Sequence, residues 1–450
     1  MLRKVRRFFN RGHERSVKAK KNIFAMLIIK GISILVGLVL VPLTINYVSP
    51  ARYGIWITLS SIIAWASFFD IGFGNGLKNK FTEAIAKGEH HKAKIYVSTT
   101  YAILFIITII LLLIFFAINP FIGWSSVLNA SVSLSYELSL LACIIFSSFA
   151  VQFVLKLITN LLASIQKPAL ASLFDMLGQV LVLIFVFALT KFGDGSLPSL
   201  GLALGGGQII VLLVATLWYF ARELRQYAPS FSTVEFKYAK DLMSIGLKFF
   251  VIQIVVIVLY ETNNIIIIQL FGPKEVTVYN VAYKYFSIIP MVFAIVISPF
   301  WVSFTDSFVK RDFIWMKGVL RKLQKAWLGL VILAIILVTV SSFVYSFWIK
   351  NAVIIPLTLT MGMGFYTVVN AWGSLHTQLL NGIGKLKIQL ISAILMAIIN
   401  IPMALFLGKH FGLSGLVWGQ SLLPLITTAW WAPIQINKIL NNKAKGIWNE

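Results

Sequence analysis

Charge and cysteine are both scarce in this sequence. One cysteine, Cys143, stands in 450 residues, which excludes an intramolecular disulfide framework and a cysteine-based metal cluster. Asp and Glu number 15 against 39 Lys and Arg, and charged residues are only 12% of the chain, about half the usual soluble share. His90 and His91 are adjacent and so do not form a metal pair on one helix face. What fills the space is apolar: the hydrophobic fraction is 59% and the mean hydropathy +0.88. Such a composition belongs to an integral membrane protein, and the net charge of +24 then argues for topology rather than for nucleic acid.

Twelve apolar segments of spanning length can be drawn, at 22–47, 53–76, 95–118, 136–160, 168–190, 198–221, 242–270, 276–305, 323–348, 352–380, 384–408 and 412–436. Backbone in lipid must satisfy its own hydrogen bonds, and these runs are too long and continuous for barrel strands, so the fold class is all-α. With both termini in the cytoplasm, all but six of the 39 Lys and Arg fall on that side. Arg52, Lys191, Lys274, Lys350 and Lys409 lie opposite and Lys284 lies inside a span, as the positive-inside rule requires.

The chain is duplicated. FTEAIAKGE, Phe81 to Glu89, reappears 223 residues later as FTDSFVKRD, Phe304 to Asp312, and the same offset carries Ser49-Pro50 onto Gly272-Pro273. LLASIQK, Leu161 to Lys167, resembles LLNGIGK, Leu379 to Lys385. Each copy holds six segments, so both enter the membrane in one orientation, and the expected architecture is two six-helix lobes related by a pseudo-twofold along the membrane normal. The expected organisation is a basic cytoplasmic leader at 1–21, a first lobe at 22–221 with helices 1–6, and a cytoplasmic interlobe linker at 222–240. A second lobe with helices 7–12 follows at 241–436, and a cytoplasmic tail at 437–450. No small-residue cleavage site follows the first segment, so the leader is expected to stay in the mature protein, either as a topology anchor or as a contact for anionic lipids.

Polar residues inside spans are expensive and must face protein or water. Lys30, Ser33, Gly37 and Thr44 share one helical face of segment 1, and Gln253, Tyr260 and Asn264 share one of segment 7, with Glu261 beside them. At the 223 offset Lys30 falls on Gln253, as two faces lining one cavity would. Asn280, Tyr283, Lys284 and Ser287 repeat the pattern in segment 8. Glu261 and Lys284 sit at similar depths, roughly 12–14 Å below the outer turn at ~1.5 Å per residue, so an ion pair is expected. It would serve either to neutralise two buried charges or as a coupling switch. Asp175, with Ser172 and Gln179 on its face, is a candidate proton or sodium site or else a hydrogen-bonded patch. His376 lies off the polar face of segment 10 and is either packed or gating. The two copies of the repeated peptide would place Glu83, Lys87, Asp306 and Lys310 at a candidate cytoplasmic gate.

The run from Lys30 through YVSPARYG to DIGFGNGLKNKFTEAIAKGE, with LFGPKEVTVYNVAYKYFSIIP in the second half, resembles the polysaccharide-transporter branch of the multidrug/oligosaccharidyl-lipid/polysaccharide exporter (MOP) superfamily. The likeness covers nearly the whole chain in length, helix count and duplication. It implies a V-shaped central cavity and alternating access. The substrate it implies is an undecaprenyl-pyrophosphate-linked oligosaccharide, flipped to the outer leaflet of the bacterial inner membrane, as Wzx-type flippases do for O-antigen and other surface polysaccharides.

It also implies a transporter rather than an enzyme. No cofactor is expected beyond coupling to protons, sodium or the membrane potential. The expected partners are the lipid-linked oligosaccharide, anionic lipids and the polymerase machinery, and the expected state is a monomer. Such flippases have a cationic cavity, which Lys30 and Lys284 would supply, with Gln253, Tyr260, Asn264, Asn280 and Tyr283 near the sugar. Moving a head group with about two negative charges outward across an inside-negative membrane gains on the order of 4.6 kcal/mol per 100 mV.

The alternative is a cation-coupled multidrug exporter of the same superfamily. Its relatives often carry an acidic residue in segment 1, and Ile23 to Val48 has none. A glycan polymerase or ligase would need a sizeable outer loop bearing acidic, His or Arg residues, and the longest, 119–135, has no Lys, Arg, Asp or Glu.

Overall fold

The structure is a computed structural model and describes residues 14–65, 70, 72–165, 167–243, 261–385 and 387–449. Among these, every regular element is helical. Seven helical runs among the described residues are long and apolar enough to cross a membrane, from Phe24–Val48 to Lys387–Leu440. The chain is a multi-pass membrane protein.

The first half contains α1 (Glu14–Val48), α2 (Pro50–Ala64), α3 (Phe73–Ala86), α4 (His90–Ile118), α5 (Ser135–Leu155), α6 (Leu157–Ser164), α7 (Pro168–Phe192) and α8 (Leu197–Ala221). Helical residues 261–271 open the described second half. They lead into α9 (Pro273–Phe286), α10 (Ile288–Val309), α11 (Phe313–Ile349), α12 (Leu357–Gly382), α13 (Lys387–Thr427) and α14 (Trp431–Leu440). Gly412, at φ 67°, breaks α13 internally.

The duplication read from sequence is present in the backbone. Ser49 and Gly272 both stop a helix with positive φ, 84° and 89°, and each is followed by Pro at the first position of the next helix. Their amides donate to equivalent carbonyls, Ser49 to Ile45 and Gly272 to Ile268. The repeated peptide ends in one turn in both copies. Gly88 (φ 74°) and Arg311 (φ 56°) occupy the left-handed position. Glu89 N donates to Ala84 O and Asp312 N to Ser307 O, both at 2.9 Å. The first aromatic of each copy, Phe81 or Phe304, is fully buried, so the motif is a packing anchor as well as a register mark.

By packing, the chain divides into two compact units: Met1–Ser49 with Ile62–Ile254, and Pro50–Ser61 with Val255–Glu450. Most of α2 therefore belongs to the second unit, although the half-by-half expectation places it in the first lobe. In the first unit α1 packs along α7, and α8 along α5 and α7. In the second, α12 is central, packed by α9, α10, α11 and α13.

The stretch expected as a plain linker, 222–240, is docked on the first unit. Leu224, Tyr227 and Leu242 are buried in a cluster with Phe81, Tyr96 and Leu161. His90 Nδ1 and the Tyr227 hydroxyl share a hydrogen bond at 2.7 Å, and Glu235 N donates to Thr99 Oγ1 at 3.0 Å. Phe81 meets the Tyr227 ring edge-on at 5.1 Å.

Close helix approach depends on small residues. A Cβ at Gly54 would lie 1.8 Å from the Pro273 carbonyl oxygen, while Thr277 Oγ1 donates to the Pro50 carbonyl at 2.5 Å. Gly54→Ala should therefore force α2 off α9 and destabilise the protein by about 1–3 kcal/mol. Gly31→Ala, where nothing lies within 4 Å, should not. Thermal unfolding of both variants in detergent checks this, and equal melting temperatures would contradict it.

Candidate functional site

In the second unit an amide relay joins three stretches. Asn280 of α9 donates to Asn264 Oδ1 at 2.8 Å, and Asn264 donates to Ser61 Oγ of α2 at 2.9 Å. Asn280 also reaches the Val276 carbonyl at 2.8 Å. Beside it Asn263 is buried and accepts from Asn400 of α13 at 3.5 Å. The Thr262 hydroxyl is buried without a hydrogen-bond partner among the described residues. Buried amides within a membrane are tolerable where neighbouring helices supply partners, as they do for Asn263 and Asn264.

One face of α9 continues the cluster. Tyr279 donates to Gln420 Oε1 at 3.2 Å and stacks on Tyr283 with ring centroids 6.3 Å apart, while Gln420 Nε2 is buried and unpartnered. Tyr283 and Lys284 are half-buried, and Ser287 Oγ donates to the Lys284 carbonyl at 2.7 Å where α9 gives way to α10. Aromatic rings, the Asn280 amide and the Lys284 ammonium thus share this part of the helix.

The ion pair expected between Glu261 and Lys284 is a correction. Both are described and half-buried, yet no salt bridge joins them. The contact between their helices is instead made one turn nearer the outer turn, by Asn264 and Asn280. Gln253 and Tyr260 lie outside the described residues, as does the side chain of Asp306.

The first unit carries its own polar cluster. Lys30 is exposed on α1. Asp175 of α7 is half-buried and accepts from Gln208 of α8 at 3.5 Å. A Cβ at Gly178 would meet Gln208 Oε1 at 1.8 Å, so this glycine lets Gln208 cross α7. Asp70 caps α3 through the Gly74 amide at 3.0 Å. Lys156, counted from sequence on the cytoplasmic side, sits at the break between α5 and α6, where its charge acts on both Asp70 and Asp175. Sequence reasoning missed it because a helix break without Pro or Gly leaves no mark.

Of the gate residues, Glu83 pairs with Lys87 at 2.6 Å and Lys80 at 3.4 Å along α3. The Lys87 hydrogen bond, helped by the charge of Lys80, holds the Glu83 carboxyl below its usual range. Lys310 is exposed just beyond α10. His376 is fully buried in α12, with Nδ1 2.9 Å from the Trp372 carbonyl and Nε2 3.5 Å from Gln324.

A family profile described as "Polysaccharide biosynthesis protein" matches residues 19–302. The chain belongs to this family. Over 92% of its length it is 22% identical to a putative O-antigen export protein of Yersinia pseudotuberculosis, covering 94% of that protein. A putative O-antigen transporter of Salmonella typhimurium is 23% identical over 87% of this chain and 90% of its own. In fold it is similar to an inward closed conformation of the lipid II flippase MurJ, with TM-score 0.72 at 15% identity over 93% of this chain and 90% of that one. It is also similar to an inward-facing multidrug resistance MATE family transporter of the MOP superfamily, with TM-score 0.69 at 15% identity over 89% and 96%.

The amide relay makes a quantitative expectation for this member of the family. In a double-mutant cycle of Asn264→Leu and Asn280→Leu, unfolding in detergent should show a coupling of about 0.6 kcal/mol, and at most about 1.7. Strictly additive losses would contradict a direct bond.

Proposed function

We propose that this protein is a flippase that carries undecaprenyl-pyrophosphate-linked oligosaccharide units from the cytoplasmic to the outer leaflet of a bacterial inner membrane, for surface polysaccharide synthesis. The observation that carries the reading is α9, where half-buried Lys284 stands beside the Tyr279 and Tyr283 rings and the Asn280 amide. An ammonium suits a pyrophosphate, and rings with amides suit a sugar. The family assignment and the curated names of the relatives support the same substrate class.

In this proposal twelve helices form two six-helix lobes around a central cavity, related by an approximate twofold along the membrane normal, with both termini cytoplasmic. Access alternates between the faces. Lys30, with Gln253 and Tyr260, lines the cavity with the α9 residues and Asn264, and Glu83, Lys87, Asp306 and Lys310 belong to a cytoplasmic gate. The protein is a transporter rather than an enzyme and acts as a monomer beside the polymerase machinery. Outward movement is driven by the membrane potential or by a proton or sodium ion, with Asp175 as the ion site.

A second reading, a cation-coupled multidrug exporter, draws on the Asp70, Lys156 and Asp175 cluster and on the fold shared with a MATE transporter. The two readings separate in cells. Loss of the protein should leave lipid-linked repeat units on the cytoplasmic face, and Lys30→Ala or Lys284→Ala should lower flipping roughly tenfold each, given ~1.5–3 kcal/mol for a hydrogen bond to a charged group. Lys→Arg at either site should retain most of it. Unchanged glycan with altered dye efflux would favour the exporter.

A further inference from the structure

An apolar groove of about 840 Å³ runs between α11, α12 and the end of α13 in the second unit, and neither the relay nor the α9 face uses it. Four tryptophans line it: Trp327, Trp372, Trp418 and Trp430. Each indole N–H is already committed to a backbone carbonyl of the wall. Trp327 donates to Val368 at 2.9 Å, Trp372 to Ala429 at 3.0 Å, Trp418 to Thr358 at 3.2 Å and Trp430 to Ile426 at 2.6 Å. The one lining hydroxyl, Thr339 Oγ1, donates to its own helix at Ile336, 2.8 Å away. The groove therefore offers its occupant rings and methyl groups and no free donor. Its rim is open, with Ile335 59% and Met361 48% exposed. Water would find nothing to bond there, whereas a hydrocarbon chain needs no bond.

Length and charge say which hydrocarbon. Along α11 the groove runs from Trp327 to Thr339, roughly 18 Å at ~1.5 Å per residue, close to one leaflet of a ~30 Å hydrocarbon layer. Its volume equals about thirty water volumes of ~30 Å³ each, the scale of one or two acyl chains. A polyprenyl tail would run far beyond it. At ~3.6 residues per turn Arg321 lies about five full turns before Thr339, and so on the same line of α11, just past the Trp327 end. Arg321 is exposed, as are Lys322 and Lys325 beside it, and Lys317 donates to Asn441 at 2.7 Å. All three helices come from a stretch, between Asp312 and Glu450, that contains no Asp or Glu. This end is therefore strongly cationic and sits where the positive-inside rule puts the cytoplasm.

We propose that the groove is a binding site for an anionic phospholipid of the cytoplasmic leaflet, one acyl chain lying across the tryptophans and the phosphate held by Arg321. Guanidinium engages a phosphate through two parallel hydrogen bonds, which a zwitterionic lipid satisfies less well because its own cation competes. The site is separate from the proposed transport path and does not rest on the flippase reading.

The test uses the full chain in vesicles of equimolar phosphatidylglycerol and phosphatidylcholine, followed by native mass spectrometry of the lipids that stay bound. Wild type should retain phosphatidylglycerol about tenfold over phosphatidylcholine, as a charged hydrogen bond of ~1.5–3 kcal/mol implies. Arg321→Ala should bring the two lipids to parity and Arg321→Lys should restore much of the preference. Ile335→Trp, at an exposed rim position where folding is not at stake, should lower retention of both by filling the groove. Equal retention by wild type would overturn the proposal, as would retention that neither Arg321→Ala nor Ile335→Trp alters. Displacement of phosphatidylglycerol by equimolar undecaprenyl phosphate would also overturn it, by assigning the groove to a polyprenyl chain.

Discussion

Hydrocarbon supplies no hydrogen bonds, and the rest of this structure follows from that constraint. Backbone becomes helix, and buried side-chain amides and hydroxyls gain by finding partners within the chain. The relay from Asn280 through Asn264 to Ser61 is one solution, and the seating of Gln208 over Gly178 against Asp175 is another. The tryptophan groove is the same rule from the other side: its indoles spend their donors on the wall, leaving a surface fit for lipid.

Much of the fold was legible because duplication leaves marks at fixed offsets. Helix stops at Ser49 and Gly272, and left-handed turns at Gly88 and Arg311, fall where the 223-residue repeat puts them. The break at Lys156 was not legible, since no proline or glycine stands beside it, whereas the one at Ser287 precedes Pro290, which has no amide hydrogen to give the Phe286 carbonyl. Residues 222–240 read as a linker because polar composition says nothing of docking. What fastens them is specific pairing, His90 with Tyr227 and Thr99 with Glu235, between positions more than a hundred residues apart.

The candidate site was half legible. Helical periodicity placed Asn264 with the polar face of its span and Asn280, Tyr283 and Lys284 together on α9. Periodicity gives the face of one helix and a depth, but not the rotation of its neighbour, so it put Glu261 against Lys284 where the structure joins two asparagines. Nor could it foresee that Ser61, from a helix of the first half, would complete the relay within the second unit. Close approach through Gly54 is what brings α2 there.

The central claim is that a cationic, aromatic and amide-lined path moves a sugar-bearing polyprenyl pyrophosphate across the bilayer. It is tested most directly with purified protein in sealed vesicles holding a labelled undecaprenyl-pyrophosphate-linked oligosaccharide, its exposure on each face read with a membrane-impermeant sugar oxidant. The account predicts protein-dependent transfer between leaflets that quickens when an applied potential draws the anionic head group across. Transfer no faster than in protein-free vesicles, alongside active movement of a cationic dye, would contradict it.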